Sequence, residues 1–248
     1  MTQSEQFSAS GVRIADDFRS NLIIDRYDGV FADMRATKKK HLRSANSEDA
    51  VTWNVFRSLR QVAPDTWLPV IWARAFPLAP TPSAVGVITR LWVPVAPPPG
   101  LLDYGDEGIS EIDIVIEAPT WVWFIEAKYK SDISTGTKTR PTRDQILRNL
   151  DVGSFYAGVR EFYFSLLSLS EERSPLGAAK IDEYRDVERM RSLLAPHRPD
   201  GVKNLKALGT LTWADLHAVL VSASTAAARE DERSYALRAA AWLEGKGL

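Results

Sequence analysis

Residues 110–130 read SEIDIVIEAPTWVWFIEAKYK, alternating apolar and acidic side chains at first and then turning almost wholly apolar. Successive side chains on a strand point to opposite faces. A strand over Ile112–Glu117 therefore sets Asp113, Val115 and Glu117 on one face and Ile112, Ile114 and Ile116 on the other. A second strand over Trp121–Lys130 groups Val122, Phe124, Glu126 and Lys128, with Trp123, Ile125 and Ala127 behind them. The short turn at Ala118–Thr120 makes the two strands antiparallel neighbours.

That pairing brings Asp113 and Glu126 towards each other across the strands. Two carboxylates at such a distance repel, and a divalent cation binding both removes the repulsion. Lys128 shares their face, where it can position an attacking water or stabilise charge on a phosphate. The backbone carbonyl of Ala127 is a further oxygen donor. Phosphodiester hydrolysis needs this set of groups. The competing reading is a structural ion pair. Against it, Glu126 and Lys128 follow the run WVWFI, where an exposed salt bridge is not expected and a buried charge needs a partner.

Around this pair the periodicities predict further elements. Ser47 caps a helix over 47–62, with Glu48 and Asp49 in its first turn and Val51, Val55, Leu59 and Val62 along one face, ended by Pro64. Leu68–Ala73 and Val85–Val95 read as strands, and Pro97–Gly100 as a loop leading into an acidic connection at 101–110. After the loop Ser131–Arg140, a helix is expected over Pro141–Tyr156, capped by Thr142 and contributing Ile146, Leu147, Leu150 and Phe155. A strand follows at Glu161–Leu169. Residues 171–248 read as mainly helical, in segments near 178–194, 212–223 and 227–244, the second opened by a Thr212/Asp215 capping pair. The expected division is an N-terminal segment (1–40), a core (41–170) and a helical C-terminal extension packed on it (171–248).

Asp113 followed by Glu126-Ala127-Lys128 resembles the motif of the PD-(D/E)XK nuclease superfamily, with Ile112 in place of the family's proline. The order of elements across about half the chain is similar too. The resemblance implies an α/β restriction-endonuclease-like core: helix, three strands, helix, strand, in a mixed central sheet flanked by helices. It implies a Mg²⁺- or Mn²⁺-dependent endonuclease acting on DNA in restriction, defence or repair, with Asp113, Glu126 and Lys128 catalytic. Many members carry a Glu on the first helix, a position matched by Glu48, which makes it an additional catalytic residue and ligand. Some carry a Gln on the helix after the Lys strand, a position matched by Gln145. The implied metal ligands are Asp113, Glu126, the Ala127 carbonyl and Glu48. In helicase-associated members a Tyr follows that Gln by four residues; here Asn149 stands there, so that subgroup is not assigned. The alternative is a nucleic-acid-binding or assembly protein that keeps the fold without hydrolysis.

Composition narrows the chemistry. The 248 residues contain no Cys and three His, so thiolate sites and disulfides are excluded and a His-rich zinc site is not expected. A catalytic metal would then be held by carboxylates, which suits Mg²⁺ or Mn²⁺. Net charge is −1, so nucleic-acid binding would rest on a local basic stripe, for which Lys130, Lys138, Arg140 and Arg143 are the candidates, with Arg148 beside them. The cluster Lys38–Arg43 is a second basic run. No phosphate-binding glycine motif appears, so no nucleotide cofactor is expected. No signal or membrane-spanning stretch is read, and the expectation is a cytoplasmic protein, with a homodimer anticipated if both strands of a duplex are cut.

Overall fold

A computed structural model describes residues 6–99, 108–136, 143–195 and 197–248. Its elements, in chain order, begin with a small antiparallel ribbon, β1 (Gln6–Phe7) and β2 (Arg13–Ile14). Helices α1 (Val30–Asp33), α2 (Ala36–Leu42), α3 (Glu48–Leu59) and α4 (Pro64–Ala75) follow. The central strands are β3 (Ile88–Val95), β4 (Ser110–Glu117) and β5 (Trp121–Ala127). Next come α5 (Gln145–Ala157), β6 (Glu161–Ser168), α6 (Pro175–Arg185), α7 (Val187–Leu194) and β7 (Leu205–Thr212). The described chain ends with α8 (Trp213–Ala226) and α9 (Glu230–Glu244).

Five strands form one mixed sheet in the order β3-β4-β5-β6-β7. The first three make an antiparallel meander, and β6 and β7 add in parallel. Helices cover both faces. Ile114, Ile116, Trp123 and Ile125 meet α3, α4, α8 and α9 on one side, where Trp72 makes edge contacts with Trp121, Trp123 and Tyr163. Val115, Val122, Phe124 and Phe164 meet α5, α6 and α7 on the other. The N-terminal segment adds a smaller cluster, in which Phe18, Leu22 and Phe31 pack on Trp53 and Trp92. The fold is thus α/β with a central sheet between helical layers.

Several expectations need correcting. Residues 68–73 are helical, inside α4. The stretch contains β-formers, but Trp67, Leu68, Ile71, Trp72 and Ala75 recur at helical spacing and are all buried. The helix expected over 47–62 stops at Leu59, and Pro64 sits instead in the first turn of α4, where its missing N–H costs nothing. The helix expected from Pro141 begins at Gln145, capped by Asp144, whose Oδ1 accepts from Leu147 N at 3.0 Å; Thr142 lies outside the described residues. Phe155 is exposed rather than a core contact.

The C-terminal stretch is not purely helical, because Leu205–Thr212 joins the central sheet beside β6. Gly209 permits this: a Cβ there would stand 2.1 Å from the carbonyl oxygen of Ala75 at the end of α4. The segment near 178–194 is two helices, the second capped by Asp186. The Thr212/Asp215 capping box forms as expected. Among the described residues no helix is long and apolar enough to cross a membrane.

Candidate active site

The carboxylates meet where the sheet loses its regularity. The β4–β5 ladder runs from Glu117–Val122 to Ile114–Ile125. One further step would place Asp113 opposite Glu126. Instead the strands part, and Asp113 Oδ2 accepts from Ala127 N at 2.9 Å. On its other edge, β4 pairs Ile114 with Leu91 and Ile112 with Val93. Trp92, between those partners, has a φ of 53°, a left-handed value that is costly for a bulky residue. The strand is therefore broken in step on both sides of Asp113. This also corrects the face of Ile112, which packs with Val115 and Val93 rather than with Ile114 and Ile116.

Glu126 is 1% exposed and both its oxygens accept hydrogen bonds. Oε1 accepts from Lys128 Nζ at 2.6 Å and from Gln145 Nε2 at 2.5 Å. Oε2 accepts from Asn149 Nδ2 at 2.6 Å. Gln145 and Asn149 lie four residues apart on α5 and so share one helical face. Gln145 is itself fixed by Ser134, whose backbone N–H donates to Oε1 at 3.2 Å.

Glu48, the first residue of α3, reaches the same place from the opposite helical layer. Its Oε2 accepts from Tyr129 N at 2.7 Å and from Ser131 Oγ at 2.8 Å, and its Oε1 stands 3.6 Å from Lys128 Nζ. Ser47 supplies the N-cap that starts this helix, accepting from Ala50 N at 3.2 Å. Asp49 turns elsewhere, to Lys38 at 3.3 Å.

Three carboxylates thus surround one ammonium. Burial pushes the Asp113 carboxyl well above the ordinary aspartate range, and the charge of Glu126 pushes it further. Burial also raises Glu48, with Lys128 opposing. Burial alone would make Lys128 easier to deprotonate, but Glu126, Asp113 and Glu48 more than offset it and hold its proton above the ordinary lysine value. At neutral pH Lys128 is a donor.

Among the described residues no three His, Cys, Asp or Glu side chains close around a single point suited to a metal ion. The reason is visible: Lys128 stands between Glu126 and Glu48, and Asp113 is turned to the Ala127 N–H. The donors nevertheless suit a hard divalent cation. They are all oxygens, and among the described residues their negative charge exceeds that of the one ammonium beside them. The Ala127 carbonyl leaves its strand on the edge from which its N–H meets Asp113, so it belongs to the same donor group.

The chain matches no protein-family model, no curated protein and no solved structure.

The structure therefore assembles Asp113, Glu126, Lys128, Glu48 and Gln145, five residues chosen from the sequence, at one centre. The basic stripe fares differently. Lys138 and Arg140 lie outside the described residues. Arg143 faces inward, 6% exposed, and donates to the fully buried Asp151 Oδ2 at 2.9 Å, so it is a core ion pair rather than a surface contact. Arg148 reaches Ser134 Oγ at 3.3 Å. Lys130 is exposed beside the centre. In the second basic run, Lys38 pairs with Glu111 and Asp49, and Arg43 Nε donates to Ala15 O at 2.5 Å. Asn149, a departure from a subgroup pattern in the sequence, belongs to this centre through Glu126 Oε2. Its position one turn after Gln145 was the available signal.

Proposed function

We propose that the protein is a metal-dependent nuclease that hydrolyses DNA phosphodiester bonds, on a restriction-endonuclease-like core of the PD-(D/E)XK type. The observation that carries this reading is the meeting of Asp113, Glu126, Glu48 and protonated Lys128 from β4, β5 and α3, where β4 and β5 separate. Mg²⁺ or Mn²⁺ bound by Asp113 and Glu126, with the Ala127 carbonyl and Glu48 as further ligands, would activate water and neutralise charge on the scissile phosphate.

The protein groups divide the remaining work. Gln145 and Asn149 hold both Glu126 oxygens in place, so that carboxylate is pre-organised. Lys128 keeps its proton and donates, either orienting the attacking water or meeting a phosphate oxygen, and it does not act as the base. Glu48, held by Tyr129 N and Ser131 Oγ, is positioned as the further ligand, and the proton of the attacking water passes to solvent. The water oxygen attacks phosphorus, the ester P–O bond breaks, and the departing oxygen is protonated by solvent.

The test is incubation with plasmid and with linear single-stranded DNA in Mg²⁺, Mn²⁺ or EDTA, beside Lys128→Ala. Metal-dependent cutting lost in the variant supports the reading. DNA binding without cutting, and with no metal bound by the wild type, supports a non-catalytic binding protein instead.

A further inference from the structure

Three basic residues far apart in the chain converge on the turn that leads into α3. The Arg13 carbonyl accepts from Ala45 N at 2.9 Å, which fixes that end of the β1–β2 ribbon to the turn. Lys246, just beyond α9, donates from Nζ to Ala45 O at 2.7 Å. Lys130, just beyond β5, donates from Nζ to Asn46 Oδ1 at 2.9 Å. Ala45 and Asn46 immediately precede Ser47 and Glu48, so the cluster borders the candidate active site.

Two features set this patch apart from ordinary surface lysines. First, Lys130 and Lys246 have neutral acceptors as their hydrogen-bond partners, and neither forms a salt bridge with a carboxylate among the described residues. The three cations are close enough that Lys130 and Arg13 add to burial in pushing the Lys246 ammonium down. Lys130 and Lys246, two like charges resting on neutral acceptors, are stabilised by an anion placed between them. Second, Lys130 has a φ of 59°. That conformation favours glycine, and a long basic side chain occupies it two residues beyond Lys128.

We propose that Lys130 and Lys246 form a binding site for the phosphodiester backbone of DNA, holding the phosphates next to the one that is cut. The proposal rests on the nuclease reading, whose centre it adjoins. Contacts of this kind fix the register of the strand and carry no sequence information. They would explain how a protein of net charge −1 holds a polyanion.

The experiment is fluorescence anisotropy of a labelled DNA duplex and its single strand in EDTA, across a salt titration. Wild type is compared with Lys130→Gln/Lys246→Gln, with Lys130→Gln alone, and with the remote pair Lys203→Gln/Lys206→Gln. Circular dichroism confirms folding, and the single Lys130 variant keeps the Lys246–Ala45 bond. The expected result is a loss of about tenfold or more in affinity for the double variant, with its salt slope lowered by about two. The single variant should give a slope lowered by about one, and the remote pair no comparable change. Unchanged affinity and slope in both site variants, with wild type still cutting DNA in Mg²⁺, overturns this site and leaves the nuclease reading intact. No affinity of the wild type for either DNA overturns the site and removes support from the nuclease reading as well.

Discussion

The Asp113 carboxylate accepts the N–H of Ala127 at 2.9 Å, across a gap where the two strands have stopped pairing. A regular ladder would have closed that N–H with a backbone carbonyl. Here a side chain does so, and the carboxyl is drawn between β4 and β5, close enough to Glu126 for their charges to oppose each other. The break in the sheet and the crowding of carboxylates are one feature. Such a site stores unfavourable electrostatics in the protein alone, and a divalent cation would relieve it.

The pH dependence follows from that crowding. Unfolded aspartate ionises near pH ~3.9. In the folded chain Asp113 holds its proton to a higher pH. Between those values the folded state binds more protons than the unfolded state, so the contribution of Asp113 to stability falls as pH rises through the window. Asp113→Asn keeps an acceptor for the Ala127 N–H and removes the charge. The variant should melt a few degrees above wild type at neutral pH, with the gap closing towards the ordinary aspartate range. Metal-dependent cutting should fall below detection. Thermal melts across pH, beside a plasmid-nicking assay, check both. Superimposable melts at every pH would show the electrostatic account to be wrong, and persistent cutting would remove Asp113 from the site.

Among the described residues Lys128 is the one cation paired with both Glu126 and Glu48, and it is 7% exposed. Removing one partner of a buried charge cluster leaves the rest uncompensated, typically at a cost of about 3–5 kcal/mol. Lys128→Met should lose stability of that order at neutral pH, and less at acid pH, where the carboxylates take up protons. Excess Mg²⁺ should restore more of the melting temperature in the variant than it adds to wild type. Differential scanning calorimetry with and without Mg²⁺ makes the comparison. Equal metal effects in the two proteins would mean that the donors do not take up the cation.

How much of this was legible in the sequence depended on how closely local pattern and tertiary environment agreed. The β4–β5 pair was readable because IDIVI alternates and WVWFI is too apolar for anything but a buried element. Glu48 and Gln145 are picked out by position relative to the motif; Glu48 accepts from Tyr129 N just beyond β5, and Gln145 donates to Glu126 on it. Residues 68–73 misled because Trp, Val and Ile favour strands in isolation, whereas burial along one helical stripe decided the outcome. β7 was missed because LKALGTLT has a Gly at its centre and a capping signal at its end, and its place beside β6 is set by close approach to α4. The charge cluster at Arg13, Lys130 and Lys246 has no local signature, since it is created by tertiary contacts with Ala45 and Asn46.

Gly209 tests whether that approach is needed. A Cβ there would meet the Ala75 carbonyl oxygen at 2.1 Å and Phe76 Cε1 at 3.0 Å. A backbone oxygen cannot swing aside as a flexible side chain can. Gly209→Ala should therefore displace α4 from β7 and cost about 1–3 kcal/mol, the usual range for overpacking. Chemical denaturation measures the loss. A variant as stable as wild type would mean that β7 and α4 stand further apart than described.

Asn149 gives the sharpest separation between positioning and mere packing. Its Nδ2 is the donor to Glu126 Oε2, at 2.6 Å, and Glu126 has almost no access to water. Asn149→Ala adds no bulk and leaves that oxygen without its donor, which should cost about 1–3 kcal/mol. The freed carboxylate also loses its orientation. Loss of such a supporting hydrogen bond typically lowers metal affinity or activity by about 10–100-fold. Titration of Mn²⁺ by calorimetry, beside cleavage rates at saturating metal, separates the two effects. A variant that loses stability while binding Mn²⁺ and cutting DNA as wild type does would show that Asn149 only fills the core. One whose metal affinity falls in step with its cleavage rate at subsaturating metal places Asn149 behind Glu126 as its positioning residue.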